Sequence, residues 1–199
     1  MDHFGDPGFY HHQQISQMWG LTALRLASSP IVGFNATNYA NKLKKYLDSL
    51  RSAVLENASD DIEMTKKGVN FDDLEDAIES LARYAKRLDK KAAELREHPK
   101  RQTCYLHVFC VSGKRTAEAR RVNKEYLEFE RIFIGNGLPG RQIYKHVVYA
   151  PGTWTGYEGV TFPSIREAIM EHRWEEARNE IKEIAKLIKQ GSSHSKSKD

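Results

Sequence analysis

The chain has 199 residues, 40% hydrophobic and 29% charged, a length and balance that suit one globular domain with a buried core. Its 31 basic residues oppose 27 acidic ones, and the resulting net charge of +4 marks out no nucleic-acid-binding surface. Cys104 and Cys110 are the two cysteines, so no disulfide framework supports the fold, and the longest apolar run, "CYLHVFCV", is too short to cross a bilayer.

The opening "MDHFGDPGF" lacks the apolar segment of a signal peptide. Asp6 is placed to cap a first helix and Pro7 to occupy its first turn, where a missing N–H costs nothing. Phe9, Ile15, Met18, Trp19, Leu24 and Leu26 recur at near-helical spacing and are expected to face inward, until Pro30 and Gly33 break the pattern. A second helix carries the stripe Tyr39, Leu43, Tyr46, Leu47, Leu50 and Val54, with Asn35 or Thr37 as its cap. After the polar connection "ENASDDIEMTKKGVN", a third helix spans about Phe71 to His98. Leu74, Ile78, Leu81, Ala85, Leu88, Ala92 and Leu95 line one face, and Pro99 stops it. A fourth helix is expected from about Thr116 to Phe133, with Val122, Phe129, Ile132 and Phe133 inward. A long non-helical stretch follows, and "FPSIREAI" restarts a helix in which Ser164 and Glu167 have capping-box spacing. Its apolar face runs on through Trp174, Ala177, Ile181 and Ile184 to Ile188. The predicted class is all-α: an up-down-up-down four-helix bundle over residues 1–190 with a long irregular loop before the last helix. Residues 191–199, "GSSHSKSKD", are expected to form a disordered polar tail.

Motifs that carry chemistry are scarce. The glycines of "GNGLPG" have no strand before them and no helix directly after, so they do not read as a phosphate loop, and HExxH, CxxC and GxSxG are absent. Cys104, His107 and Cys110, three apart, could turn thiolate, imidazole and thiolate to one side of a helix, but no fourth ligand is apparent. The other reading is a short buried strand or turn in which cysteine acts as a small hydrophobe. His11 and His12 project about 100° apart on a helix and cannot easily share a metal. The basic runs near Arg83–Arg101 and Lys114–Lys124 are interrupted by Asp89, Glu94, Glu97 and Glu118, which suits a solvated face. No catalytic or metal-ligating set is assigned within the chain.

The stretch Glu130–Pro163, "ERIFIGNGLPGRQIYKHVVYAPGTWTGYEGVTFP", is similar to the C-terminal helical domain of the transferrin receptor and glutamate carboxypeptidase II family. The shared pattern is carried by Glu130, Arg131, Phe133, Gly137, Leu138, Pro139, Arg141, Tyr144, His146, Val147, Tyr149, Ala150, Pro151, Tyr157, Gly159, Phe162 and Pro163. "FGDPGFYHHQQISQMWGL" resembles the family's entry into that domain through Asp6, Pro7, Phe9 and His12. The likeness covers most of residues 1–190 and is weak across 99–121, which looks like extra length.

The resemblance implies a homodimerisation domain of a glutamate carboxypeptidase-like zinc metallopeptidase, a hydrolase whose catalytic domain, with its two zinc ions, is missing from this chain. No catalysis by this chain alone is then expected. Its partners would be a second copy and the parent catalytic domain, with no nucleic acid and no direct membrane contact. The fragment would be soluble, from a parent that could be a type II membrane protein facing the lumen, vacuole or exterior. In the peptidases the long loop walls the substrate pocket, and a lysine–tyrosine pair there contacts the terminal glutamate. The aligned pair is Gly156 and Tyr157, so the phenol is kept and the ammonium is lost, which puts a glutamate preference in doubt. Arg131, Arg141 and His146 are expected to satisfy loop backbone carbonyls. Trp19, Tyr39, Phe71 and Trp174 are the candidate dimer-interface anchors, or else part of the bundle's own core. The alternative function is that of a protein-docking domain in a receptor-like, catalytically inactive member.

Overall fold

Amphipathic periodicity dominates the chain, and helices follow from it. The computed structural model describes residues 5–57, 69–97, 114–153 and 158–194. After a 3-10 turn at Pro7–Phe9 come α1 (Tyr10–Ser28), α2 (Ala36–Asn57), α3 (Asp72–Glu97) and α4 (Lys114–Arg131). Two short strands, β1 (Tyr149–Pro151) and β2 (Gly159–Thr161), precede α5 (Pro163–Met170) and α6 (Trp174–His194). The class is all-α. Cys104, His107 and Cys110 lie outside the described residues.

The chain divides into two compact units, residues 1–34 with 92–123 and residues 35–91 with 124–199. In the first, the break after α1 becomes an anchored turn. Ile31 is buried, Asn123 receives the Val32 amide at 3.0 Å and donates to the Pro30 carbonyl at 2.9 Å, and Arg96 donates to the Val32 carbonyl at 2.7 Å. The start of α1 is capped from upstream. The buried Asp6 carboxylate accepts the amides of His11 (3.1 Å) and His12 (2.9 Å) and the His12 ring at 2.5 Å. Burial raises its pKa, but these bonds outweigh that and bring it down to about 2. The apolar residues of α1 do not turn inward as their spacing predicts: every residue from Tyr10 to Ser28 is exposed.

In the second unit the predicted stripes do form the core. Leu43, Leu47 and Leu50 of α2, Leu74, Ile78, Leu81 and Leu88 of α3, Phe129 at the end of α4 and Phe133 just beyond it are buried, as are Ile165 and Ile169 of α5 and Ile181, Ile184 and Ile188 of α6. Each such side chain removed from water contributes about 1.5–3 kcal/mol. Phe71, a candidate anchor for a partner, is 7% exposed and belongs to this core, so its ring is not free to meet a second subunit.

Asp89 fixes how the helices meet. Its carboxylate accepts the Ala36 and Thr37 amides at 3.1 and 2.7 Å, two donors that the first turn of α2 cannot satisfy internally. Asn35 completes the cap by receiving the Asn38 amide at 2.7 Å. Asp89 also accepts the phenol of the buried Tyr126 at 2.8 Å, tying α4 to α2 and α3.

The single long last helix expected from residue 164 onward is two helices. Arg173 N–H reaches the Ala168 carbonyl and His172 N–H the Ile169 carbonyl, closing α5 with His172 in the left-handed region at φ +55°. The break turns α6 so that both helices can pack their apolar faces. Helix α6 continues to His194, past the predicted start of the tail, because Gly191 lets it approach Ile132: a Cβ there would lie 2.5 Å from Ile132 Cγ2.

Candidate functional site

The connection between α4 and α5 is a hydrogen-bonded ladder. Val147 N–H donates to Phe133 O (2.9 Å), Gly135 N–H to Lys145 O (2.8 Å) and Leu138 N–H to Tyr144 O (3.0 Å). Glycine is required at 137, where φ is +113° and a Cβ would meet Gln142 O at 2.5 Å. The chain then enters β1, which pairs antiparallel with β2 in the register Tyr149–Thr161, Ala150–Val160 and Pro151–Gly159. Gly152 N–H donates to Glu158 O at 3.1 Å and closes the base of the excursion between the strands. Gly156 and Tyr157 fall in that excursion and lie outside the described residues.

Two side chains hold this base. Arg141 donates to the Pro151 carbonyl at 2.6 Å and, through one nitrogen, to both oxygens of Glu167 at 2.5 and 2.7 Å. The planar guanidinium thus fastens the end of β1 to α5 by charge-assisted bonds in a largely enclosed setting. Glu167 is therefore engaged with Arg141 rather than in a capping box. Helix α5 starts at Pro163, Ser164 sits inside its first turn, and the buried Ser164 hydroxyl has no partner among the described residues.

His146 is the second holder. Its Nδ1 accepts the amides of Val148 (3.3 Å) and Tyr149 (3.1 Å), which places the ring proton on Nε2, 3.1 Å from Glu130 Oε1. His146 thus serves backbone donors, not carbonyls. Arg131 does neither: it is exposed and pairs with Glu128 at 3.0 Å along the surface of α4, because its position on the helix points away from the loop.

Beside this base lies a shallow depression of about 190 Å³, lined by Asn35, Asn38, Tyr39, Lys42, Tyr46 and Tyr149. Tyr39 stacks on Phe133 with centroids 5.1 Å apart and donates to Glu130 at 3.3 Å. The hydroxyls of Tyr46 and Tyr149 share a short hydrogen bond. Burial, and then the Glu130 carboxylate, pushes the Tyr39 pKa up; burial, and then Tyr46, does the same for Tyr149. Both phenols stay protonated, and Tyr39 acts as a donor to Glu130. The half-buried Trp174 meets His172 edge-on at 5.6 Å, and Trp19 is 76% exposed. Among the described residues, no three His, Cys, Asp or Glu side chains come together in a way that could hold a metal ion. No described helix is long and apolar enough to cross a membrane.

Sequence reasoning missed Asp89, Glu130 and Glu167 as organising carboxylates. The signal for Asp89 was an α2 first turn with no acidic residue of its own. The signal for Glu167 was its placement one turn into a helix led by proline.

A probable glutamate carboxypeptidase of Arthroderma benhamiae is 34% identical over 170 residues, covering 83% of this chain and 20% of that protein. The probable glutamate carboxypeptidase LAMP1 of Arabidopsis thaliana is 29% identical over 202 residues, covering 96% of this chain and 25% of that protein. An inactive zinc metalloprotease of Schizosaccharomyces pombe is 29% identical, covering 93% of this chain and 21% of that protein. The chain thus spans about a fifth to a quarter of the length of these relatives. Residues 69–194, more than half of the chain, match the family described as the transferrin receptor-like dimerisation domain, and this chain belongs to that family.

Proposed function

We propose that the chain is the homodimerisation module of a glutamate carboxypeptidase-like zinc metallopeptidase and that its α4–α5 connection completes the substrate pocket of the peptidase body. The observation that carries this reading is the fastening of the β1–β2 base by Arg141, Pro151 O and Glu167, together with the Gly152–Glu158 bond. Such a base holds an excursion in place against another body of protein. Tyr157 would offer its phenol to a substrate carboxylate, and Gly156 would leave the ammonium position empty, so side chains other than glutamate would be accepted. The two zinc ions would be held by the parent catalytic domain, outside this chain, and this chain alone would hydrolyse no peptide. Tyr39 and Trp174 are the proposed anchors of the self-contact, and Trp174 lies within residues 69–194, the region that matches the dimerisation family.

Light scattering at micromolar concentration tests the module. A mass of twice 22.9 kDa is expected, and a monomer that persists as concentration rises would sink the reading. A second reading, a docking domain of an inactive member, is favoured by the Schizosaccharomyces pombe relative. Peptide turnover by the whole parent protein that a chelator removes would exclude it. Location follows the parent, with an anchor and a luminal, vacuolar or external face as the proposed arrangement.

A further inference from the structure

Two triplets of the chain have the form Asn-x-Ser/Thr with a residue other than proline between, Asn35-Ala36-Thr37 and Asn57-Ala58-Ser59. This pattern is the acceptor for N-linked sugar at the surface of a chain that enters the secretory lumen. The two bracket α2, one at its start and the other at its last residue. Ala58 and Ser59 lie outside the described residues, so the first triplet is the one the fold can weigh. Asn35 is exposed and caps α2 through its Oδ1, which accepts the Asn38 amide at 2.7 Å. Its Nδ2 has no partner among the described residues, and Gly33 and Asn38 are exposed on either side of it in the chain. The nitrogen that must carry a sugar is therefore the idle half of the amide, and the oxygen that holds the helix is the other half.

In the folded chain the triplet is closed. The Thr37 amide (2.7 Å) and the Thr37 hydroxyl both bond to Asp89, and the buried Ala36 gives its amide to the same carboxylate at 3.1 Å. Asp89, however, lies 52 residues downstream of Thr37. At 5–20 residues per second, the triplet stays open for roughly 3–10 s after it is made. We propose that Asn35 is an acceptor for an N-linked oligosaccharide, attached before Asp89 closes the start of α2. Nδ2 attacks C1 of the first sugar of an oligosaccharide carried on a polyprenol diphosphate. The C–N bond forms, the C1–O bond breaks, the diphosphate leaves with its electron pair, and Nδ2 gives one proton to a base of the transferring enzyme. Oδ1 stays an acceptor, so the Asn38 amide keeps its cap when α2 then folds. In the parent this rests on the luminal, vacuolar or external face proposed above.

The test directs this full chain into a eukaryotic secretory lumen with a cleavable signal. Whole-cell extracts are read, so that a variant which fails to fold is still counted. A glycosidase that releases N-linked sugar and leaves aspartate at the acceptor is applied, and mass spectrometry follows the tryptic peptide Leu26–Lys42, which holds Asn35 and not Asn57. Aspartate at position 35 is expected in most molecules of the treated sample and in none of the untreated one. Thr37→Ala, which keeps Asn35, is expected to abolish it, and Asn57→Gln to leave it unchanged. Asp89→Ala is expected to leave it unchanged as well, because Asp89 acts after the transfer. A bare Asn35 in the wild-type chain overturns the proposal, as does a modification that survives Thr37→Ala. Loss of the sugar in Asp89→Ala overturns it too, since the triplet would then be read in the folded chain. The parent protein taken from its own cells and treated alike reports its location separately. A modified chain beside a bare parent upholds the acceptor and defeats the luminal, vacuolar or external reading.

Discussion

Replacing Asp89 with alanine removes one carboxylate and three hydrogen bonds. The Ala36 and Thr37 amides lose the cap that covers the first turn of α2, a loss of about 1 kcal/mol. The phenol of Tyr126, only 4% exposed, loses its 2.8 Å bond to a charged acceptor, for about 2 kcal/mol more. The sum, about 3 kcal/mol, is a large share of the 5–15 kcal/mol that holds a domain together, and it should lower the melting temperature by roughly 6–12 °C. Tyr126→Phe, which removes one bond and keeps the cap, should cost about 1 kcal/mol. The acid response follows from the same contacts. Burial raises the Asp89 pKa, but the bonds from Thr37, Tyr126 and Ala36 outweigh it and hold the group below its ordinary 3.8. A depressed folded value contributes stability above the unfolded pKa and loses it as pH falls through the folded one. The gap between wild type and Asp89→Asn should therefore be constant from about pH 5 to 8 and close below about pH 4. Urea denaturation across that range is the assay. An Asp89→Ala protein within about 0.5 kcal/mol of wild type, or a gap that widens in acid, refutes the reasoning.

Arg141→Lys keeps the charge but loses the planar fork to Glu167 and Pro151. A loss of about 2 kcal/mol and faster amide exchange across residues 149–151 and 159–161 are expected, measured by hydrogen exchange. Gly137→Ala must place a Cβ at 2.5 Å from Gln142 O with φ at +113°; it should cost at least about 2 kcal/mol in chemical denaturation. Ser164→Ala removes a buried hydroxyl that has no partner among the described residues, so the melting temperature should hold or rise slightly, equivalent to about 0–1 kcal/mol. Gly191→Ala trades better helix propensity for a clash with Ile132, and a net loss of about 1 kcal/mol is expected in the same assay.

The legible parts of the fold were those where one local rule governs. In α2 and α3 the apolar spacing names the buried residues because each helix has one dry face, and α2's cap is the Asn35 that its sequence position suggests. Helix α1 shows the limit of that rule, since periodicity identifies a surface that wants cover but not what covers it. The division between α5 and α6 was hidden because a histidine, not a glycine, takes the left-handed position at 172. Of the candidate site, Arg141 and His146 could be found from the motif, but their partners could not. Glu167 and Glu130 lie 26 and 16 residues away, and only the folded loop brings each pair within reach. Asp89 was hidden for the same reason, 52 residues from the amide it caps.

The fastening at Pro151 and Gly152 uses main-chain carbonyls and amides on the loop's side: Arg141 grips a carbonyl oxygen, and Gly152 and Glu158 meet amide to carbonyl. None of these bonds reads a side chain at positions 153–157. Selection could therefore rewrite those five residues while the base of the hairpin stays as it is.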